Sequence, residues 1–293
     1  MGSLKEIRQR ITSVKSTRQI TSAMKMVSAA KLKKAQDAII QIRPYAARLH
    51  QVIGHVSTAA EENEISPLTQ NREPQKVLLV VVSANRGLCG GFNSNIVKAV
   101  IELASTRYAA QRERGNLHMT IIGKKGGEVL KTKGFSSWPQ NNDLLDKPAF
   151  IRSEKFANQL MDQFIKGEYD RIELIYNQFK NAASQVVMVE PFLPVQPSAA
   201  EAGSRTEPFF IFEPDLDYLV TRLIPEALRI QLHKSLLDSQ ASEHGARMTA
   251  MHQATDNATD MIRDLTLEYN KARQAAITSE IIEIVSGAEA LTS

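Results

Sequence analysis

The sequence predicts an α/β domain held between two long helices that wind together as an antiparallel coiled coil. Three observations carry this. Both ends of the chain lack the residues that stop helices over more than 40 positions. Both ends carry apolar residues at alternating spacings of three and four. The middle alternates β-rich and helical segments, which is the pattern of an α/β layer structure with a partly parallel sheet.

The first helix is expected over residues 1–57. No proline precedes Pro44 and no glycine lies between Gly2 and Gly54. Leu4, Ile7, Ile11 and Val14 open the seam, a phase slip is read near Thr17 and Arg18, and Ile20, Met24 and Val27 continue it. Ala35, Ile39, Ile42, Ala46, Leu49, Ile53 and Val56 keep the same rhythm. Such a narrow stripe suits a coiled-coil seam better than the surface of a globular domain. At ~1.5 Å per residue the rod is roughly 80 Å long. Pro44 lacks an N–H and disfavours helix at the preceding residue, so a kink or break is expected near Arg43.

The central domain is expected over 76–212. Residues 76–82, 117–123, 171–179, 185–192 and 208–212 read as strands, and 93–114, 124–133 and 153–166 as helices, which together predict a Rossmann-like α/β domain. Residues 65–75 and 194–208 are rich in polar and turn-forming types and read as loops. The second long helix is expected over 213–293. Met248, Met251, Thr255, Ala258, Ile262, Leu265, Tyr269 and Ala272 form its seam, followed by Ile277, Ile281 and Ile284. Two rods of this length bury their seams most economically against each other, and a chain that leaves one and enters the other pairs them antiparallel.

Charge fits the pairing. Residues 1–57 hold 11 Lys/Arg against Glu6 and Asp37, whereas 216–293 hold 7 Lys/Arg against 11 Asp/Glu. Asp256, Asp260, Asp264 and Glu268 form an acidic ladder that repels itself on an isolated helix. A register with Ile7 near Ile281–Ile284 brings Lys31 and Lys34 level with Asp256 and Asp260; the alternative is a solvated acidic face.

The glycine turn in "VVVSANRGLCGGFNSN" (80–95) follows a strand and precedes a helix, as phosphate-binding loops do. It matches neither G-x-x-x-x-G-K-[ST] nor G-x-G-x-x-G, and reads as a tight turn. Cys89, the single cysteine, reads as a small buried hydrophobe and fits a reducing compartment. "GKKGGE" (123–128) lacks the terminal Ser/Thr and reads as a helix start. The six histidines show no H-E-x-x-H spacing. No nucleophile, base and orienter assemble, so neither a catalytic residue, a cofactor site nor a metal site is expected. Two further classes fit less well. A nucleotide-binding enzyme with helical arms needs the missing phosphate chemistry. A basic coiled-coil nucleic-acid binder needs interleaved aromatics, and residues 1–44 contain none. No stretch approaches the ~20 apolar residues that span a bilayer, so any membrane role is expected to come through partners.

"ITSAMKMVSAAKL" (20–32), "SANRGLCGGFN" (83–93), "SEHGARMTAMHQATDNA" (242–258) and "YNKARQAAITSEIIEIVSGAEAL" (269–291) closely resemble the γ subunit of F-type, proton-translocating ATP synthases of the bacterial type. The resemblance runs through the whole chain. It departs at Asn85, where the family usually carries aspartate. It implies a central rotor stalk that turns with the membrane c ring and drives the catalytic β subunits through their states, binding no nucleotide itself. It implies as partners the α and β subunits of the catalytic hexamer, the ε subunit and the c-subunit ring, with one copy per complex, no nucleic acid, and membrane contact only through the c ring. Motif by motif, it places Met24 and Lys25 opposite acidic loops of the β subunits. It places Arg247, Arg273, Gln274, Thr278 and Glu280 among coupling positions, and Arg205, Glu207 and Phe210 in the foot near the ring. The lone cysteine and the lack of a plastid-type insertion imply no thiol control. A chain without a visible presequence is expected at the cytoplasmic face of the bacterial inner membrane, as a peripheral subunit.

Overall fold

The computed structural model describes residues 4–59, 66–135, 141–146, 150–182, 184–195 and 216–292. The expected strand at 208–212 lies outside them, as do Arg205, Glu207 and Phe210. Two helices dominate, α1 (Leu4–Ala59) and α7 (Leu216–Thr292). The expected break at Pro44 does not occur, and α1 runs through it as helix. The chain divides into two compact units, one built from residues up to 28 and from 248 onward, the other from 29–247.

Among the described residues the larger unit holds a four-stranded sheet of β1 (Val77–Val82), β2 (Leu117–Ile122), β3 (Arg171–Phe179) and β4 (Gln185–Leu193), in the order β2-β1-β3-β4. β1 pairs parallel with β2 and β3, and β4 returns antiparallel to β3. All six residues of β1 are buried, as expected of a central strand covered on both faces. Val77, Leu79 and Val81 face Ile96, Val100 and Leu103 of α2 (Phe92–Ser105) and Leu130 of α4 (Lys124–Thr132). Leu78, Val80 and Val82 face Phe156, Leu160 and Phe164 of α6 (Phe150–Ile165) and Leu228, Leu232 and Leu236 of α7. The long C-terminal helix is therefore part of the α/β core.

The expected helix over 93–114 is two, α2 and α3 (Ala109–Glu113). The chain turns between them to bury Tyr108, whose hydroxyl donates to Glu173 Oε1 at 2.6 Å. A short helix α5 (Asp143–Asp146) was not expected. The glycines of 123–128 serve close packing. Gly123 has φ +114°, and a Cβ there would lie 2.3 Å from the Ser83 carbonyl oxygen. A Cβ on Gly126 would lie 2.5 Å from Ser83 Cβ. Ser83 Oγ instead donates to the Gly123 carbonyl and accepts from the Gly126 N–H. Also within this unit, Ala46, Leu49 and Ile53 of α1 pack against Ile230 of α7.

Candidate functional site

In the smaller unit the two chain ends lie side by side and antiparallel. Thr21 Oγ1 and Thr255 Oγ1 share a hydrogen bond at 2.8 Å, and Arg8 donates to the Tyr269 hydroxyl at 2.6 Å with its guanidinium over the ring. These pairs set a register that corrects the expected one. Asp256 lies next to Thr255 and so level with Thr21, not with Lys31. Asp256 is instead paired with His252 of its own helix at 3.3 Å, and Arg263 lies 4.0 Å from Asp260 and 3.8 Å from Asp264. The acidic ladder is a solvated face, with Arg263 of the same helix beside Asp260 and Asp264.

The α1 seam needs correction too. Its inward positions are Ile7, Ile11, Val14, Arg18, Thr21, Lys25 and Ser28, an unbroken alternation of four and three. The phase slip arose because polar residues occupy the middle of the seam. Thr21 and Ser28 are buried, whereas Ile20 and Val27 are 59% and 57% exposed. Both buried hydroxyls are satisfied, Ser28 by donating to the Met24 carbonyl. On α7 the expected seam holds from Met248 to Ala272, all buried or half-buried. It does not continue through Ile277, Ile281 and Ile284, which are exposed. The register explains why: Arg8 faces Tyr269, so the described part of α1 ends before those residues are reached.

Of the residues singled out from the sequence, Lys25 is half-buried on the seam and Met24 half-buried beside it, and Arg273, Gln274, Thr278 and Glu280 are exposed on the last turns of α7. Thr278 Oγ1 donates to the Gln274 carbonyl. An open groove of about 470 Å³ runs beside this seam, lined by Arg18, Gln19, Ser22, Ala23, Met26, Thr255 and Thr259.

Arg247 belongs to the larger unit and is buried there. Its guanidinium donates to the carbonyls of Arg86 and Gly87 in the glycine turn at 3.1 and 3.3 Å, and pairs with Glu243 at 2.7 Å. It also lies 3.4 Å from Nδ1 of His244. Burial, with Arg247 and Lys31 nearby, pushes the His244 ring down to about 4, so it stays neutral and Nδ1 accepts from Arg247. Burial raises the Glu243 carboxyl more than Arg247 lowers it. The turn thus presents carbonyls to a cation, whereas a phosphate loop presents N–H groups. Burial also raises the Cys89 thiol, which sits between Ala84 and Phe92 and accepts from Asn93 Nδ2 at 3.2 Å. Leu88 stands between these anchors with φ +61° and its side chain exposed. Motif reasoning identified Arg247 but not its partners in the turn, because 160 residues separate them. Among the described residues no group of three or more His, Cys, Asp or Glu could hold a metal ion, and no helix is long and apolar enough to cross a membrane.

The family model described as ATP synthase matches residues 3–291. The ATP synthase gamma chain of Flavobacterium psychrophilum is 53% identical over 291 residues, covering 99% of each chain. That of Cytophaga hutchinsonii is 46% identical, covering 100% of each. Among solved structures, a chain of the central stalk/c-ring of Tetrahymena thermophila mitochondrial ATP synthase is 28% identical with a TM-score of 0.57, over 80% of this chain and 99% of that one. A chain from the OSCP/F1/c-ring structure of Euglena gracilis mitochondrial ATP synthase shares the fold, with a TM-score of 0.67 at 19% identity over 98% of this chain and 94% of that one.

Proposed function

This chain belongs to the γ-chain family of the ATP synthases, the central-stalk rotor of those complexes, and from that premise we propose how its parts divide the work. Residues 1–57 and 213–293 act as the shaft and 76–212 as the foot. The shaft enters the hexamer of α and β subunits, and the foot binds the ε subunit and the c ring. Rotation of the ring, driven by protons, turns the shaft and carries the catalytic β subunits through ATP synthesis. The chain contributes no catalytic residue and binds no cofactor. It works at the cytoplasmic face of the bacterial inner membrane, one copy per complex, and meets the membrane through the c ring alone.

The observation that carries this reading is the antiparallel pairing of the two chain ends through Thr21–Thr255 and Arg8–Tyr269. A shaft needs both ends of the chain side by side in a fixed register, and these contacts supply one. Met24, Lys25, Arg273, Gln274, Thr278 and Glu280 are the positions at which we place weak, repeated contacts with the hexamer; their exposed or half-exposed side chains suit that role. For Arg247 we propose an indirect part, holding the glycine turn to α7. Arg205, Glu207 and Phe210 are proposed to face the ring.

Met24→Lys tests the reading. A lysine beside Lys25 adds a flexible cation opposite acidic β loops. A partly desolvated ion pair is worth roughly 1–3 kcal/mol at one rotor angle, and an added well of ~1.4 kcal/mol slows escape about tenfold. On one preparation of membranes, ATP hydrolysis should persist while proton pumping falls. Equal loss of both, with subunits missing from the complex, would refute the assignment of Met24 to coupling.

A further inference from the structure

At residues 43 and 44 of α1 a weakness and a brace lie side by side. Pro44 has no N–H, so the carbonyl four residues earlier, at Ile40, loses its helical donor there, and the helix is softest at this turn. The next residue back, Arg43, reaches out of α1 and joins it to two other elements. Its Nη2 donates to Asp238 Oδ1 of α7 at 2.8 Å and to the carbonyl of Phe179, the last residue of β3, at 3.0 Å.

The pair is unequal. The Asp238 side chain is fully buried, and its Oδ2 has no hydrogen-bond partner among the described residues. The Arg43 side chain is 43% exposed. A buried carboxylate half of whose acceptor capacity is unfilled depends heavily on the cation bonded to it. Burial raises the Asp238 carboxyl, and Arg43 is the chief influence lowering it again. Such a pair adds little to stability over an apolar one, but it is directional. The apolar contacts of α1 with α7, from Ala46, Leu49 and Ile53 to Ile230, carry no such direction. They resist separation of the helices and permit α1 to roll about its axis. A guanidinium bonded at once to α7 and to the end of β3 does not permit rolling.

We propose that Arg43, acting through Asp238 and the Phe179 carbonyl, is the torsional brace of the rotor. It locks α1 to the α/β sheet and to α7 at the turn that Pro44 weakens, so that a twist applied to the sheet is carried by α1 and not lost as roll. Arg43 is a positioning residue. It touches no substrate and need face no partner subunit. The inference rests on the rotor assignment made above.

The test uses the complete complex with the hexamer fixed to a surface and a probe on the c ring. Angular fluctuation of the probe in the absence of nucleotide reports torsional stiffness, and stepping with ATP reports rotation. Arg43→Met should assemble and hydrolyse ATP, and should widen the angular variance about 1.5-fold or more, because the directional contact is gone while the apolar one remains. Restoring the helical N–H in Arg43→Met/Pro44→Ala should narrow it again. Arg43→Lys keeps the counter-charge that folding needs and replaces the planar guanidinium, whose Nη2 hydrogens point in fixed directions, by a freely rotating ammonium. It should therefore widen the variance even if Arg43→Met fails to assemble. Variance equal to wild type in either single variant, with the chain present in normal amount, would overturn the brace. Wild-type complex that hydrolyses ATP while the probe never steps would instead overturn the rotor assignment, so the two failures are distinct.

Discussion

Replacing Arg247 by alanine removes one guanidinium from four partners at once: Glu243, His244 and the carbonyls of Arg86 and Gly87. The magnitude follows from Glu243, which is only 9% exposed and would be left buried without the cation paired to it, with only the weaker influence of Lys31 and Arg86. A carboxyl with an ordinary value of 4.5 can escape that penalty at pH 7 by taking up a proton, at a cost of about 3.4 kcal/mol. That is a ceiling on the charge contribution. Two carbonyls lose donors, each worth about 1 kcal/mol, and water restores much of that because the turn is partly exposed. The expected loss of folding stability is thus about 3 kcal/mol at pH 7. At pH 5 the proton costs only about 0.7 kcal/mol, so the loss should fall by more than half. Denaturant unfolding of the purified variant and wild-type chains at both pH values, followed by circular dichroism, measures it. Adding Glu243→Gln should recover most of the loss at pH 7. A deficit below about 1 kcal/mol at pH 7, or one equal at both pH values, would show that the buried pair does not hold the turn.

Three further outcomes are expected. His244 has a folded value near 4 against an ordinary 6.5, so its contribution is complete above pH 6.5 and lost as pH falls toward 4; His244→Gln should flatten the decline of the unfolding midpoint across that window, and an unchanged slope would refute the assignment. In a Cys89→Ser background, Thr21→Cys with Thr255→Cys should form a disulfide on mild oxidation, whereas Lys31→Cys with Asp256→Cys should not, since bridging needs Cα atoms within about 7 Å; gel mobility decides between the two registers. Gly123→Ala should cost at least ~2 kcal/mol more than Gly134→Ala by thermal unfolding, because both have positive φ but only the former meets a backbone oxygen.

Much of this fold is legible in the sequence, and the misses share physical causes. The central strands announce themselves because β1 is apolar at every position. The α7 seam is legible because its inward residues are mostly apolar. The middle of the α1 seam is not, since Thr21 and Ser28 are buried as satisfied hydroxyls, and an apolar count passes over them to the exposed Ile20 and Val27. Register is hidden for another reason. A repeating seam matches itself after each heptad, so only pairs such as Thr21–Thr255 break the degeneracy. Of the site, the motifs pointed to Arg247. They could not show that it holds a turn 160 residues earlier in the chain, because local spacing carries no long-range contact. Asp238 and Arg43 gave no signal, since one charge on each of two helices is unremarkable until the helices are laid together.

That α7 supplies Leu228, Leu232 and Leu236 to the sheet core has a consequence for how the chain is made. The four described strands are complete by Leu193, yet one face of their sheet is covered only in part, by α6, until Leu228, Leu232 and Leu236 of α7 leave the ribosome. The amino end waits longer. Thr21 meets Thr255 only after 234 more residues have been added, which at 5–20 residues per second is roughly 12 to 47 s. Through that interval Ile7, Ile11 and Val14 have no seam to enter. A nascent helix in this position can bind a second nascent chain or a chaperone before its own partner exists. Its strongly basic composition, 11 Lys/Arg against two acids over residues 1–57, works against the first of these fates. Two such segments repel each other, while the acidic partner helix is the last part of the chain to be synthesised.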